Sequence, residues 1–214
     1  MPGPAVTLPP MLRRVASRVS MRSRERKLRL FLELLRPGPE TTVVDVGVTD
    51  APFGAGSTDN FFEALYPWPE RITAVGVTGL ERFAASFAQV RVVQADGRAL
   101  PFGDGEFDIA FSNAVVEHVG GGREGQRRFV RELCRVARRV FVTTPNRWFP
   151  VDPHTLLPLV HWLPAHDVRD RLLRARGFED VLDPLGPRDL AALFPFPVRV
   201  INRGLTLVAV GPRG

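Results

Sequence analysis

The chain has 214 residues, of which 44% are hydrophobic and 24% are charged, and this balance indicates one globular domain with a full core rather than a disordered chain. No apolar run is long enough for a membrane span, and the N-terminal residues lack the apolar core of a signal peptide. The single cysteine, Cys134, cannot form an internal disulfide, which favours a reducing cytoplasmic location.

The positive charge is unevenly distributed. The net charge is +6, and only Lys27 is a lysine, so every other basic residue is arginine. Residues 10–36 contain nine basic residues and two acidic ones, Glu25 and Glu33. This segment could face phosphate or contact an anionic membrane surface peripherally. The simpler expectation is a helix with a solvated basic face.

The first forty residues separate from the rest by composition. Residues 1–10 carry four prolines and predict a loose tail. Residues 11–35 predict one or two helices, ended sharply by the Pro-Gly-Pro of residues 37–39. We therefore divide the chain into residues 1–39, a tail with a basic helix, and residues 40–214, a single domain. The apolar stripe of the helix consists of Leu28, Leu30, Phe31, Leu34 and Leu35.

Strand and helix patterns alternate through the remaining chain. The predicted strands span 41–46, 71–77, 92–95, 107–112 and 140–144, and a terminal hairpin pairs 198–202 with 205–210. The predicted helices span 57–65 with Ser57 as N-cap, 80–87, 123–138 and 167–176, with a short one near Leu190. Cys134 falls on the apolar face of the third of these helices, which favours packing over a nucleophilic role. The alternation predicts an α/β fold with a mostly parallel, doubly wound sheet and an antiparallel edge.

One segment breaks this alternation. Residues 145–166 contain five prolines, three tryptophan or phenylalanine rings and three histidines. They follow the fifth strand at the edge where a ligand enters such a sheet, so they predict a lid insert. A proline-stiffened packing segment is an equal alternative for the tryptophans. The spacing of His161 and His166 lacks further ligands, so we expect no metal site.

Four motifs carry a resemblance to a known family. They are Val43 to Gly47 (VVDVG), Ala95-Asp96, Leu100-Pro101-Phe102 with Phe107-Asp108, and Ser112 to Val119 (SNAVVEHV). In this order and spacing the chain resembles a class I S-adenosylmethionine-dependent methyltransferase of the ubiquinone-type, small-molecule subgroup. The resemblance implies a Rossmann-like, seven-stranded sheet with an antiparallel terminal hairpin, S-adenosylmethionine as cofactor, and a small-molecule acceptor.

The resemblance also implies a cofactor site along the carboxyl edge of the sheet. Asp96 would accept a hydrogen bond from the adenine amine; its alternative role is to cap its own loop in an Asx turn. Asp45 would orient the first loop or receive the ammonium of the cofactor, and Gly47 would allow close backbone approach. The cofactor-binding candidates are Asp45, Gly47, Thr49, Thr78, Asp96, Gly97, Ser112 and Asn113.

Two positions depart from the family pattern. The first loop usually has three closely spaced glycines, but here Gly47 is followed by Val48, Thr49 and Asp50. The acidic residue expected after strand two, which would hold the ribose hydroxyls, falls on Thr78. A catalytically lapsed binding or scaffold protein is therefore the alternative function.

Two histidines are candidates for catalysis. Methyl transfer is an in-line displacement, and a hydroxyl or amine acceptor benefits from a general base. His118, next to Glu117 after strand four, is the first candidate, and His154 is the second. His118 could equally structure its loop. Asn113 and Asn146 could hold an acceptor. A nucleic-acid methyltransferase is a third, disfavoured reading of the basic helix; the sequence leaves the acceptor and the oligomeric state open.

Overall fold

A computed structural model of the chain describes residues 10–51, 53, 59–150 and 183–212. Its centre is a seven-stranded sheet in the order β3-β2-β1-β4-β5-β7-β6. The strands are β1 Val43–Val46, β2 Ile72–Gly76, β3 Arg91–Gln94, β4 Phe107–Asn113, β5 Ala137–Pro145, β6 Arg199–Asn202 and β7 Thr206–Gly211.

Helices cover the sheet in the described part of the chain. They are α1 Pro10–Leu35, α2 Phe61–Leu65, α3 Glu81–Ser86, α4 Gly122–Val136 and α5 Pro187–Ala191, with 3-10 turns at Pro69–Arg71 and Val116–His118. No helix among these residues is both long enough and apolar enough to cross a membrane.

The pairing of the strands confirms the predicted fold class. Strands β1 to β5 pair in parallel, and β7 runs antiparallel between β5 and β6. Every residue of β1 and β2 is buried, as expected for central strands covered on both faces. The carboxyl ends of β1 and β4 therefore lie side by side, and the start of β7 lies at that same edge because it runs in the opposite direction.

The boundary between the fourth helix and the fifth strand was predicted wrongly. The expected helix over 123–138 ends at Val136, and β5 begins at once with Ala137 in an extended conformation. Ala137 pairs with Phe107, the first residue of β4, so the strand pairing begins three residues before the predicted start at residue 140. Sheet pairing overrides the local helical preference of this arginine-rich stretch.

The helix predicted from Ser57 is shorter than expected. It begins at Phe61, and Ser57 lies outside the described residues. Asn60 precedes the helix in a left-handed conformation, with φ of 54°, and its side chain makes no cap hydrogen bond. That side chain instead bonds to the first loop of the sheet, as described below.

The predicted apolar stripe of α1 anchors this helix to the sheet. Phe31 is fully buried, and its ring meets the edges or faces of other rings at centroid distances of 5.1–6.0 Å. Those rings belong to Phe62, Tyr66, Phe111 and Phe141. Arg24, Lys27 and Phe31 recur at helical spacing, so the anchored face of α1 also carries two cations towards the carboxyl edge.

Replacing Phe31 with alanine tests this anchor. We expect Phe31→Ala to lower the free energy of unfolding by about 3–5 kcal/mol, because it opens a cavity amid four aromatic rings. Urea unfolding at constant pH measures this loss. Leu34→Ala on the same helix is the control; Leu34 is only half-buried, so a smaller loss is expected. Equal losses for the two variants would mean that Phe31 is not the anchor.

Candidate functional site

The carboxyl edge of β1 and β4 opens into a cavity of about 280 Å³. Helices α1 and α2 form its opposite wall. Five of the residues predicted to bind the cofactor or to act in catalysis line it together, namely Asp45, Gly47, Thr49, Asn113 and His118. The structure thus brings together the predicted site residues that lie in or just after β1 and β4.

The first turn requires a glycine. Gly47 has φ of 114°, a conformation that side chains disfavour. A Cβ at this position would lie 2.1 Å from Cγ2 of Val115, the residue that follows the end of β4 by two positions. The absence of a side chain therefore lets the two loops at the edge of the cavity come into contact.

Asn60 holds the first loop in the absence of the usual further glycines. Its side-chain nitrogen donates to the carbonyl oxygens of Thr49 at 2.8 Å and Ala51 at 2.7 Å. The backbone N–H of Thr49 donates back to the Asn60 side-chain oxygen at 3.2 Å. The loop is thus fixed from α2 by one carboxamide, and the predicted Thr49 is held at the cavity wall.

Two carboxyl groups are buried together beneath the cavity. Asp45 is 6% and Glu63 is 3% exposed. Burial first, and then the charge of Glu63, raise the pKa of Asp45 well above its usual range; burial also raises the pKa of Glu63. Among the described residues, the two side-chain oxygens of Glu63 have no hydrogen-bond donor. Burial therefore favours a state in which the two carboxyl groups together hold at least one proton.

A lysine from α1 fixes the side chain that ends β4. Lys27 Nζ donates to Asn113 Oδ1 at 2.8 Å, and Thr143 Oγ1 donates to the same oxygen at 2.8 Å. Because an ammonium can only donate, this contact identifies which end of the carboxamide is oxygen. The amide nitrogen of Asn113 is therefore the end left to donate to a ligand in the cavity.

Lys27 lies in an unusual environment for a cation. Burial first, and then the charge of Arg24, lower the pKa of Lys27 to about 8, while the charge of Glu117 opposes the shift. Arg24 is itself partly buried beside the Phe61 ring and lies 3.7 Å from Asp59. Glu117 is 1% exposed and accepts a hydrogen bond from Thr144 Oγ1 at 3.0 Å. The α1 wall next to Asn113 therefore carries a cation, Lys27, whose pKa lies close to neutral pH.

Asp96 lies after β3 as predicted, but its carboxylate is already engaged. Its Oδ1 accepts from the backbone N–H of Arg98 at 2.8 Å, which is the Asx turn, and both oxygens accept from the Arg98 guanidinium at 2.7–3.1 Å. These hydrogen bonds lower the pKa of Asp96. Gly97 is buried, and a Cβ there would lie 2.5 Å from the Phe129 ring, so this glycine allows α4 to pack rather than lining the rim.

The end of β2 leaves no room for a side chain. The strand ends at Gly76, and Thr78 lies in the exposed turn beyond it. A Cβ at Gly76 would lie 2.7 Å from the Val48 carbonyl oxygen and 2.9 Å from the Leu80 side chain. The altered first loop therefore occupies the space that a side chain at the end of this strand would need.

Several predicted residues lie outside the cavity. Ser112 is fully buried, and its hydroxyl donates to the Val46 carbonyl oxygen at 2.9 Å, so it joins β4 to β1 inside the sheet, and its role in cofactor binding stays a prediction. Asn146 donates to the Gly204 carbonyl oxygen at 2.9 Å and secures the terminal hairpin. His154 and residues 151–166 of the predicted lid lie outside the described residues.

Cys134 packs as predicted. It contacts the core beside α4, and burial raises the pKa of its thiol to about 12. The thiolate is therefore strongly disfavoured at neutral pH. No group of potential metal ligands occurs in the described part of the chain, and the predicted absence of a metal site stays a prediction.

Sequence reasoning missed four residues of the site. These are Arg24, Lys27, Asn60 and Glu63. The helical spacing of Arg24 and Lys27 to buried Phe31 was a usable signal. Glu63 stands between buried aromatic residues in a five-residue helix, and that pattern alone does not distinguish a buried acid from an exposed one.

Comparisons with known proteins agree with the resemblance. Residues 49–140 match the family model described as "Methyltransferase domain". An uncharacterized methyltransferase from Mycolicibacterium gilvum is 33% identical over 141 residues, which make up 64% of this chain and 51% of that protein. The chain thus spans about half the length of the curated relatives it matches.

Solved structures share the fold. The YcgJ protein from Bacillus subtilis is similar with a TM-score of 0.57 and 21% identity, over 83% of this chain and 71% of the other. An S-adenosylmethionine dependent methyltransferase from Mesorhizobium loti has a TM-score of 0.55 and 13% identity, over 84% and 94% of the two chains. These likenesses confirm the Rossmann-like fold.

Because Lys27 is the only lysine, its ionisation can be observed directly. We expect a single 13Cε-lysine NMR resonance that titrates with a midpoint near pH 8, set by burial and by Arg24. Arg24→Gln should move the midpoint upwards, since a like charge is removed. The urea-unfolded chain serves as the reference, with a midpoint of about 10.4. A folded-state midpoint equal to that reference would contradict the buried placement.

Replacing Asp45 with asparagine tests the carboxyl pair. Since the folded-state pKa values are raised, the pair stabilises fully only below about pH 4, and this contribution is lost as pH rises. Asp45→Asn stays neutral, so we expect it to raise the free energy of unfolding by about 1–3 kcal/mol at pH 8 and by less at pH 4. Urea unfolding at both pH values measures this. Destabilisation that is equal at the two pH values would contradict a shared proton.

Proposed function

We propose that this chain is a class I S-adenosylmethionine-dependent methyltransferase that binds this cofactor at the Asp45 cavity and methylates a small molecule. The family and the fold support the reaction class. The arrangement of residues in the cavity supports the proposed position of the cofactor. The comparisons offer no support for the alternative, a lapsed scaffold protein.

The buried carboxyl pair is the observation that carries the proposal. Burial raises the pKa of both Asp45 and Glu63 beneath the cavity, so it disfavours two negative charges there in the absence of a cation. The cofactor has an ammonium group at its amino-acid end. An ammonium donates to carboxylates and favours their ionised form, so both groups gain a partner that the protein itself does not provide. The residues present therefore fit the cationic end of the cofactor.

The adenine end would be held by Asp96. Arg98 occupies both carboxylate oxygens, yet this contact is exposed, and exposed ion pairs contribute only about 0–1 kcal/mol. Arg98 can therefore release one oxygen to an adenine amine at little cost. The Asp96 carboxylate would then cap its loop in the free protein and contact the ligand in the complex.

The ribose end has fewer partners than the family pattern implies. Thr78 presents a hydroxyl in place of a carboxylate. Asp50, in the first loop, accepts from the Phe83 N–H at 2.9 Å and from Arg82 Nε at 2.8 Å, so its carboxylate is directed towards the start of α3. We propose that Thr78 contacts the diol and that cofactor affinity depends mainly on the cationic end.

The chemistry divides between the cofactor and the chain. When bound, the cofactor supplies an electrophilic methyl group on a sulfonium. Asn113, fixed by Lys27 and Thr143, orients the acceptor through its amide nitrogen. His118 lies at the exposed rim of the same cavity and would accept the proton of a hydroxyl or amine acceptor. His154 stays a second candidate base, and positioning supplies the rest.

Calorimetry with S-adenosylmethionine and with its demethylated product tests the proposal. We expect the full chain to bind both, and Asp45→Asn to weaken binding at least tenfold even though it stabilises the fold. Asp96→Ala should also weaken binding, by removing the adenine contact, but by less than Asp45→Asn.

A matched control is available on the exposed surface. Asp104 pairs with Arg135 away from the cavity, so Asp104→Asn should leave cofactor binding unchanged. Absence of any heat of binding at millimolar ligand would overturn the proposal. If Asp45→Asn and Asp104→Asn weakened cofactor binding equally, the loss of affinity would reflect the change in net charge and not a loss of the Asp45 site.

A further inference from the structure

We propose that the groove between α1 and the β6–β7 hairpin, hereafter the arginine groove, binds the phosphate or diphosphate group of the methyl acceptor. This inference rests on the proposed function and specifies the chemical class of its substrate. The arginine groove is defined by Arg22, Arg26 and Arg29 of α1, Arg203 of the hairpin turn, and Lys27 at its inner end. Its volume is about 690 Å³.

Among the residues that the structure describes, the four arginines of the groove have no ion-pair or hydrogen-bond partner for their guanidinium groups. Elsewhere in the described chain, nine ion pairs join arginines to carboxylates, including Arg98 to Asp96 and Arg123 to Asp183. Within the same part of the chain, no carboxylate or carbonyl accepts from the guanidinium groups of the arginine groove. Glu33, at one end, is the only acidic residue that lines it. Convergent cations without counter-charges favour a bound anion.

The floor of the groove places that anion beside the reaction site. Leu205, Thr206 and Val208 form the floor at the start of β7. Thr206 pairs with Pro145 and Val208 with Thr143, so the floor lies at the carboxyl edge of β5. This edge is the one along which the Asp45 cavity opens.

Lys27 connects the two sites. It lines the arginine groove, and its Nζ donates to Asn113 Oδ1 at 2.8 Å, while Asn113 lines the Asp45 cavity. An acceptor with its anionic group in the groove could therefore extend past Lys27 to the amide of Asn113. The groove supplies binding energy at a distance from the methyl-accepting atom.

The charge of the groove selects the class of anion. Four arginines and Glu33 give the groove an excess of about three positive charges before Lys27 is counted. A single carboxylate on a ligand would neutralise only one of them. Guanidinium groups bind phosphate oxygens in bidentate fashion. A phosphate ester or diphosphate therefore fits better than a simple carboxylic acid.

Inorganic phosphate and pyrophosphate are the probes, titrated into the full chain at constant ionic strength. We expect pyrophosphate to bind more tightly than phosphate, and to raise the midpoint of the Lys27 13Cε titration, because a nearby anion favours the ammonium. Arg24 and Glu117 also face Lys27, and they are unchanged in every variant used.

A charge-matched pair of variants isolates the groove. Arg26→Gln/Arg203→Gln should weaken pyrophosphate binding at least tenfold and remove the shift of the Lys27 midpoint. Arg131→Gln/Arg188→Gln, which removes two exposed charges elsewhere, should change binding less than twofold. Both variants should bind the demethylated cofactor equally well.

Other outcomes would overturn the inference. No pyrophosphate binding at millimolar concentration, or equal weakening in the two double variants, would exclude an anion site here. Binding of a single-stranded oligonucleotide or of phosphatidylserine vesicles that exceeds pyrophosphate binding and disappears in Arg26→Gln/Arg203→Gln would assign the groove to a polymer or a membrane. If pyrophosphate bound and the cofactor did not, the proposed anion site would be supported and only the proposed methyl transfer would be refuted.

Discussion

The burial of Phe31 among the rings of α2, β4 and β5 is the interaction on which the site depends. It fixes a long, strongly basic helix against aromatic side chains of the sheet, Phe111 and Phe141. Because Lys27 is one helical turn and Arg24 about two turns before Phe31, their positions follow from that anchor. Aromatic packing thus provides the free energy that keeps two cations partly out of water.

Burial shifts pKa values in opposite directions on the two sides of the site, and on both sides it favours the uncharged form. On the β1 and α2 side it favours protonated carboxyls, while on the α1 side it favours neutral lysine. Both shifts have the same cause: burial removes each group from water, and no partner of opposite charge fully compensates for the lost hydration. The site is therefore best satisfied by a ligand that brings a cation to one wall and an anion to the other.

Much of the fold followed from the sequence, because strand alternation, apolar continuity and motif spacing are local signals. The parallel sheet, the terminal hairpin and the gathering of Asp45, Gly47, Thr49, Asn113 and His118 at one edge were predictable in this way. The exchange of helix for strand at Ala137 was not, because pairing with Phe107 decides it. The Asx turn of Asp96 was one of its two predicted roles. Its ion pair with Arg98 and the hydrogen bond of Ser112 were not predictable, since residue type alone does not reveal which neighbour satisfies a polar side chain. Contacts between α1 and Asn113 join positions 86 residues apart, beyond the reach of any pattern along the chain.

The contact between Gly76 and the Val48 carbonyl limits how this edge of the sheet can be redesigned. A Cβ at position 76 would lie 2.7 Å from that oxygen, so a side chain there and the present path of the first loop exclude one another. A side chain at position 76 therefore requires the loop to move first. Transplanting residues 47–51 and position 76 as a single unit would be tolerated where the change at position 76 alone is not.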